Sequence, residues 1–329
     1  MDEYIRLIQE YKKQFGSKQV LVLGDLMVDE YLTGRVERVS PEAPVPVLDY
    51  QARRLAAGGA GNVANNLCSL GCRVKLCGVV ADDFYGNWLK DYFGKLTVDV
   101  SGVFSEKNRP TTLKQRFATK NQQLLRVDHE SAADITEETK EKIFRYCEKN
   151  ILTLDAIVFS DYVKGLFADT SFVRKLVELA NQNGVIIGVD SKSVCISAFA
   201  DTTFVKPNNL ELERAVGFRI RDEASFSKAG EKYLRESGAR ALVVTRGEKG
   251  ISLFLPSGFR KDFKADVVQV YDVTGAGDTV ISVVTLALSC GISLEDAVVL
   301  ANYAAGVVIS KVGTAVLTTE ELADRVSRA

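Results

Sequence analysis

Short apolar runs rich in β-branched residues alternate with helix-periodic stretches along most of this chain. Gln19–Gly24, Arg73–Val79, Asp155–Ser160, Val185–Asp190, Ala241–Thr245 and Ile251–Leu255 read as strands. Between them, Asn62–Leu70, Phe84–Lys95, Thr136–Asn150, Ser171–Asn183 and Ser225–Glu236 carry apolar residues at helical spacing. Strand and helix in alternation predict an α/β fold with a mostly parallel sheet covered on both faces. Two apolar helices are expected from near Gly277 and Ser293, and a short amphipathic one from Thr319.

Two segments break the alternation: Val45–Leu55, and the pair Thr112–Thr119 and Gln123–Asp128 joined by a turn at Lys120–Asn121. Both read as antiparallel strands, which cannot enter a βαβ core without extra connections. They are expected to form a small β-sheet lid, from about residues 34–56 and 110–130, on a single domain spanning 1–329. Ligands of an open parallel sheet bind beyond the carboxyl ends of its strands, so the chemistry should be sought there.

Composition narrows the function classes. The 329 residues are 46% hydrophobic and 26% charged, a globular balance that excludes disorder as the main state. Forty-two basic against 43 acidic residues give a net charge of −1 with no basic stripe, so nucleic acid is not an expected partner. The longest apolar runs, Val280–Cys290 and Ala297–Ile309, are interrupted by polar residues and fall short of the ~20 needed to cross a bilayer. Met1–Lys18 lacks an apolar signal core, and a cytoplasmic protein is expected. The six cysteines form no CxxC pair and read as reduced core thiols, and one histidine cannot complete a Cys/His zinc site. That histidine, His129, lies between Asp128 and Glu130 and reads as a solvated surface residue.

Four segments carry candidate chemistry. Asp272-Val273-Thr274-Gly275-Ala276-Gly277-Asp278 opens an apolar helix. Glycines there let amides approach an anion, the helix dipole favours negative charge, and Asp278 lies within reach of an atom attacking that anion. A glycine-rich loop followed by a stabilising acidic first turn would show the same pattern. Gly58-Gly59-Ala60-Gly61-Asn62 precedes a second helix, where Asn62 can hydrogen-bond a polyol. Gly24-Asp25 and Asp29 follow the first strand, and the Asp29 carboxylate offers two acceptors to neighbouring hydroxyls; a helix cap and an exposed acid are the plainer alternatives.

Asn208-Asn209-Leu210-Glu211 follows a short strand, with Glu211 placed to hold hydrated Mg²⁺ beside an amide, or with Asn capping the helix. In Thr245-Arg246-Gly247-Glu248-Lys249-Gly250, Thr245 and the amides can meet nucleotide phosphates across a tight turn. Competing nucleotide motifs are absent: Gly94-Lys95 is followed by Leu96, and the first strand runs into Gly24-Asp25-Leu26 rather than GxGxxG.

The Gly-Gly-Ala-Gly-Asn segment near residue 60, Asn-x-x-Glu at 208–211 and Asp-x-x-Gly-Ala-Gly-Asp at 272–278 together resemble the ribokinase/PfkB family of sugar kinases. Segments 40–47, 121–128, 160–165 and 311–315 are more particular, and resemble the branch that phosphorylates D-glycero-β-D-manno-heptose 7-phosphate. The likeness covers Val20 to Leu322, with small departures at Gly61 and Ser191. The chain's end at Ala329 suggests the stand-alone kinase rather than its fusion to an adenylyltransferase.

The resemblance implies a ribokinase-like three-layer α/β/α fold and transfer of the ATP γ-phosphoryl group to the anomeric hydroxyl. It implies Mg²⁺ and leaves open a monovalent cation. Asp278 would be the base, with Gly275, Ala276 and Gly277 facing the moving phosphoryl group. Asn208 and Glu211 would position the metal, with Asn209 and Leu210 in the same ATP-binding segment. Thr245 and Gly247 would face the phosphates, and Asn302, Ala305 and Gly306 would wall the adenine. The sugar would lie over Asp29, Gly58, Gly59 and Asn62 beneath the lid. Lys114 and Arg116, two apart on one strand, share a face and are candidate clamps for the sugar's phosphate; Lys164 and Lys192 are rivals, and a solvated strand edge is the plain alternative. A homodimer through the lid is expected, with no membrane partner. The other readings are a kinase of this family for another sugar, or a silent sugar- or nucleotide-binding regulator.

Overall fold

The computed structural model describes residues 8, 12–120, 122–266, 269–311, 313 and 315–328. Asn121 of the expected turn, and Val312 and Thr314 of segment 311–315, lie outside the described residues. The strands run in chain order as β1 (Gln19–Gly24), β2 (Leu26–Val39), β3 (Pro46–Gly59), β4 (Arg73–Val80), β5 (Asp99–Ser105), β6 (Thr112–Ala118) and β7 (Gln123–His129). They continue as β8 (Ala156–Asp161), β9 (Ile186–Ser191), β10 (Phe204–Val205), β11 (Leu242–Thr245), β12 (Ile251–Phe254) and β13 (Arg260–Phe263). The helices are α1 (Ala60–Ser69), α2 (Phe84–Lys95), α3 (Glu137–Asn150), α4 (Thr170–Gln182), α5 (Asn209–Val216), α6 (Glu223–Ser237), α7 (Ala276–Ser289), α8 (Leu294–Ile309) and α9 (Thr319–Ser327).

Among the described residues, nine strands form one large sheet in the order β13-β12-β11-β10-β9-β8-β1-β4-β5, parallel except at the β11-β12-β13 edge. Successive side chains of a strand point to opposite faces, which explains why the central strands carry unbroken apolar runs such as Val20–Leu23 of β1 and Ala156–Phe159 of β8. On β1, Val20 and Val22 pack with α1, α2, α7, α8 and α9, whereas Leu21 and Leu23 pack with α3, α4, α5 and α6. β8 divides the same way, Ala156 and Val158 to one layer and Ile157 and Phe159 to the other. Three layers result, with helices on both faces of the sheet.

A second sheet of four strands, in the order β3-β2-β6-β7, grows from the carboxyl end of β1. β2 starts one residue past β1, and β3 returns antiparallel to it, pairing Leu26 with Gly59, where α1 begins. β2 and β6 are parallel, and β6 and β7 antiparallel. The small sheet is longer than its sequence pattern suggested, starting at Leu26 rather than near residue 34. Asp and Glu are depleted in strands, yet Asp29 and Glu30 sit side by side in β2, both buried. Their charges are met from other strands, by Arg116 of β6 and Arg53 of β3. Local propensity could not reveal those partners.

The cysteines are unpaired; Cys72, Cys77, Cys147 and Cys290 are buried, but Cys195 is exposed, against the expectation of core thiols throughout. His129 is exposed, its Nε2 3.1 Å from Gln115 Oε1. No helix among the described residues is long and apolar enough to cross a membrane.

Candidate active site

The carboxyl ends of β1, β8, β9 and β10 converge on the N-terminus of α7. Gly275 caps that helix with φ 85°, a left-handed conformation that suits glycine. A Cβ on Gly277 would stand 3.2 Å from the Lys206 Nζ, so the bare backbone lets the ammonium approach. The first amides of a helix lack intrahelical partners. Here Ala276 N–H turns back to the Val273 carbonyl at 3.3 Å, while Gly277 and Asp278 stand at the wall of the cleft.

Asp278 projects from the first turn of α7 and is 6% exposed. Its Oδ2 accepts from Asn62 Nδ2 at 2.7 Å and its Oδ1 from the Tyr162 hydroxyl at 2.9 Å. Burial, reinforced by the nearby Asp190 charge, pushes the carboxyl up to about 6, although both hydrogen bonds and Lys192 favour its ionised form. Burial and the Asp278 charge hold the Tyr162 hydroxyl well above its usual value, so Tyr162 donates.

Two further carboxylates shape the loop that carries Tyr162. Asp25 Oδ2 accepts the amides of Tyr162 and Lys164 at 2.8 and 3.0 Å, and Asp161 Oδ1 accepts that of Val163 at 2.8 Å. Val163 is left-handed, φ 59°, a strained conformation for a β-branched residue that the two carboxylates hold in place. Burial and the Asp161 charge raise Asp25 to about 6. Ser191 donates to Asp161 Oδ2 at 2.5 Å, a bond that proline could not make.

A cleft of about 640 Å³ leads away from Asp278 past Lys192 and Lys206 to Thr245, Gly247, Asn302, Ala305 and Gly306. At its base Lys206 and Asp190 form a buried ion pair at 3.1 Å. Burial opposes the Asp190 charge, but the two lysines beside it outweigh burial and hold its carboxyl below the ordinary value. Asp190 Oδ1 is buried with no hydrogen-bond partner among the described residues. Lys192 reaches Glu211 at 2.8 Å and lies 4.6 Å over the Tyr162 ring; Asp190 and Glu211 raise its pKa against the effect of burial.

The Asn208–Glu211 spacing proves to be a reciprocal helix cap. Asn208 Oδ1 accepts from Glu211 N at 2.9 Å and Glu211 Oε2 from Asn208 N at 2.8 Å, closing α5 at the cleft wall. Of the four residues of that segment, Asn208 and Glu211 line the cleft, while Asn209 and Leu210 do not; Leu210 is 53% exposed. Gly306 leaves room for Asp266, whose Oδ2 would stand 3.0 Å from an added Cβ. Asn302 donates to the Lys264 carbonyl at 2.6 Å.

Asp29 and Gly58 lie on the small sheet. A Cβ on Gly58 would stand 2.6 Å from Asp29 Oδ2, and Gly59, φ 56°, would meet the Asp25 carbonyl at 2.5 Å. Lys114 is bound by Asp128 and Glu130 at 3.0 and 3.2 Å, and Lys164 by Glu130 at 2.7 Å. Lys192 belongs to the long cleft and not to the small sheet. Sequence reading left Tyr162, Asp190, Lys206 and Asp25 unassigned. All four sit at carboxyl ends of sheet strands, a position that would have singled them out.

The profile of the pfkB family of carbohydrate kinases matches residues 17–321, and the chain belongs to that family. It is a sugar kinase, and membership implies ATP and a divalent cation. It is 44% identical over 302 residues to the bifunctional protein HldE of Geobacter metallireducens, covering 92% of this chain and 61% of that one. The Helicobacter pylori (strain Shi470) protein of the same name is 42% identical over 307 residues, covering 93% and 66%. The chain thus spans about three fifths to two thirds of the length of these relatives. Escherichia coli phosphofructokinase-2 in complex with potassium superposes with a TM-score of 0.77 at 20% identity, covering 94% of this chain and 98% of the other. Arabidopsis thaliana ribokinase complexed with ribose and ATP gives 0.73 at 19%, with the same coverage. These two establish the ribokinase-like fold.

Proposed function

We propose that this sugar kinase transfers the ATP γ-phosphoryl group to the anomeric O1 of D-glycero-β-D-manno-heptose 7-phosphate, giving the 1,7-bisphosphate. The observation that carries the reading is the buried Asp278 carboxylate, clamped by Asn62 and Tyr162 at the N-terminus of α7. The relatives named HldE point to the acceptor. O1 would sit against Asp278, which takes its proton late in a loose transition state; a carboxyl at about 6 is ionised at neutral pH and basic enough for that task. The Gly277 and Asp278 amides and the Lys206 ammonium would face the charge on the moving phosphoryl group, in a pocket where burial strengthens each interaction. The β- and γ-phosphates would extend along Thr245 and Gly247, with adenine toward Asn302, Ala305 and Gly306.

The acidic residues fit a hydrated Mg²⁺: the orphaned Asp190 Oδ1 and neighbouring Glu211 offer acceptors in the cleft. When bound, the ion supplies charge neutralisation on the phosphate oxygens. The small sheet would close over the sugar and exclude water. Its other face carries the cross-strand row Leu32, Phe117 and Leu125, with Leu125 57% exposed. A homodimer pairing through that face would cover the row, and light scattering at twice the monomer mass is expected.

A panel of acceptors with ATP and Mg²⁺, read by coupled ADP release, tests the proposal. Heptose 7-phosphate should give the highest kcat/KM. Preference for fructose 6-phosphate, ribose or a nucleoside would replace it with another kinase of this family.

A further inference from the structure

Lys114 and Lys164 are each neutralised by carboxylates, which leaves open where an acceptor's own phosphate would bind. The register of the small sheet answers this. Tyr31 pairs with Arg54 of β3 and Arg116 of β6, and Arg116 with Arg126 of β7. Three arginines and one tyrosine therefore form a single row across all four strands. The neighbouring row on the same face holds Ala56, Asp29, Lys114 and Asp128, two residues away on every strand, or about 7 Å.

What holds these arginines matters more than their number. The Arg54 guanidinium lies 4.5 Å and that of Arg116 5.4 Å from the Tyr31 ring centroid. An aromatic face positions a cation without neutralising it. Arg54 has no carboxylate within 4 Å among the described residues, and a Cβ on Gly313 would stand 3.4 Å from its Nη2. Gly313 N donates to Asp272 Oδ2, so Arg54 reaches over the loop that leads to Asp278. Arg116 uses its Nη1 toward Asp29 and the Lys114 carbonyl, while Arg126 donates its Nε to Asp128 at 2.9 Å.

We infer that Arg54 and Arg116, set around Tyr31 with Arg126 at the rim, form the subsite for the phosphate monoester of the acceptor sugar. Hydroxyls of the sugar meet the Asp29 row, and the phosphate meets the arginine row one step outward. A guanidinium fork suits a phosphate dianion, and Arg54 contributes the unspent charge. Lys114 serves instead to hold Asp128 and Glu130.

This inference rests on the proposed phosphorylated acceptor, and its test separates the two. The native enzyme, Arg54→Ala and Arg54→Lys are assayed with heptose 7-phosphate and with unphosphorylated heptose, and heptose 7-phosphate binding is measured by calorimetry without nucleotide. For Arg54→Ala, the KM and Kd for heptose 7-phosphate should rise about 30-fold. The KM for ATP and the kcat/KM for unphosphorylated heptose should stay within twofold, with Arg54→Lys intermediate. Should the native enzyme prefer the phosphorylated sugar and Arg54→Ala keep that preference within twofold, the subsite lies elsewhere and the acceptor proposal stands. Should the native enzyme show no preference for the phosphorylated sugar, both fall. Arg54 is exposed on a strand edge, so the calorimetric signal and an unchanged ATP KM report a folded variant.

Discussion

The reacting end of the site and the exposed edge of the small sheet at Arg54 handle charge in opposite ways. Around Asp278 the polar groups are buried or half-buried and locked to one another: Asp190 with Lys206, Glu211 with Lys192, Asp278 with Asn62 and Tyr162. On the small sheet the Arg54 charge rests on an aromatic ring at an exposed edge. Burial at the first site shifts pKa values and fixes geometry, as proton removal and phosphoryl transfer require. Exposure at the second leaves charge available for a ligand that arrives with its own. On the proposed function, chemistry and recognition are separated between two sheets joined at the end of β1.

The comparison can be broken most directly at Asp278, the proposed base. Asp278→Asn is expected to lower kcat by about 10³-fold, the scale of a general base, with ATP affinity within twofold by calorimetry. Near-normal single-turnover transfer would remove Asp278 from the reaction. The same substitution tests burial through stability. With its pKa near 6 folded against 3.8 unfolded, Asp278 binds its proton more tightly in the folded state, so its contribution to stability is lost as pH rises from about 4 to 6. Relative to the native chain, Asp278→Asn should therefore gain about 2 to 3 kcal/mol between pH 4 and pH 7, read by urea unfolding. A pH-independent difference would mean that the carboxyl is not perturbed.

Smaller effects sharpen the contrast. Glu211→Gln removes an acid beside Lys192 and loosens the α5 cap; the Mg²⁺ concentration for half-maximal rate should rise about tenfold, with the sugar KM unchanged. Tyr162→Phe should cost a few-fold in kcat at pH 7, because the lost hydrogen bond favoured ionised Asp278. The acidic limb of its pH–rate profile should move upward from about 6, and the two enzymes should converge at higher pH. A downward shift would show that Tyr162 does not donate to the base.

Much of the large sheet was legible because each central strand meets two helical layers and carries an unbroken apolar run, a pattern that survives in one dimension. The start of α7 was legible because glycines precede a long apolar run, although a plain glycine-rich loop with an acidic first turn has the same pattern. β2 was not, since Asp29 and Glu30 are carried by arginines 87 and 23 residues away in sequence. Asn208 and Glu211 were found, but their mutual cap was not distinguishable from a metal site by spacing alone. Tyr162 and Asp190 were passed over although they stand at strand ends, because neither belongs to a glycine-rich motif.

By itself the order of residues determined the alternating architecture, the apolar helix whose first turn carries Asp278, and membership in a kinase family, all of which rest on local periodicity and short motifs. Only the tertiary structure decided which charges cancel and which remain. Lys114 and Arg54 look alike along the chain, but one faces two carboxylates and the other an aromatic ring. That outcome depends on register across four strands contributed by two distant segments, and pairing between distant segments is written in contacts rather than in any stretch of sequence.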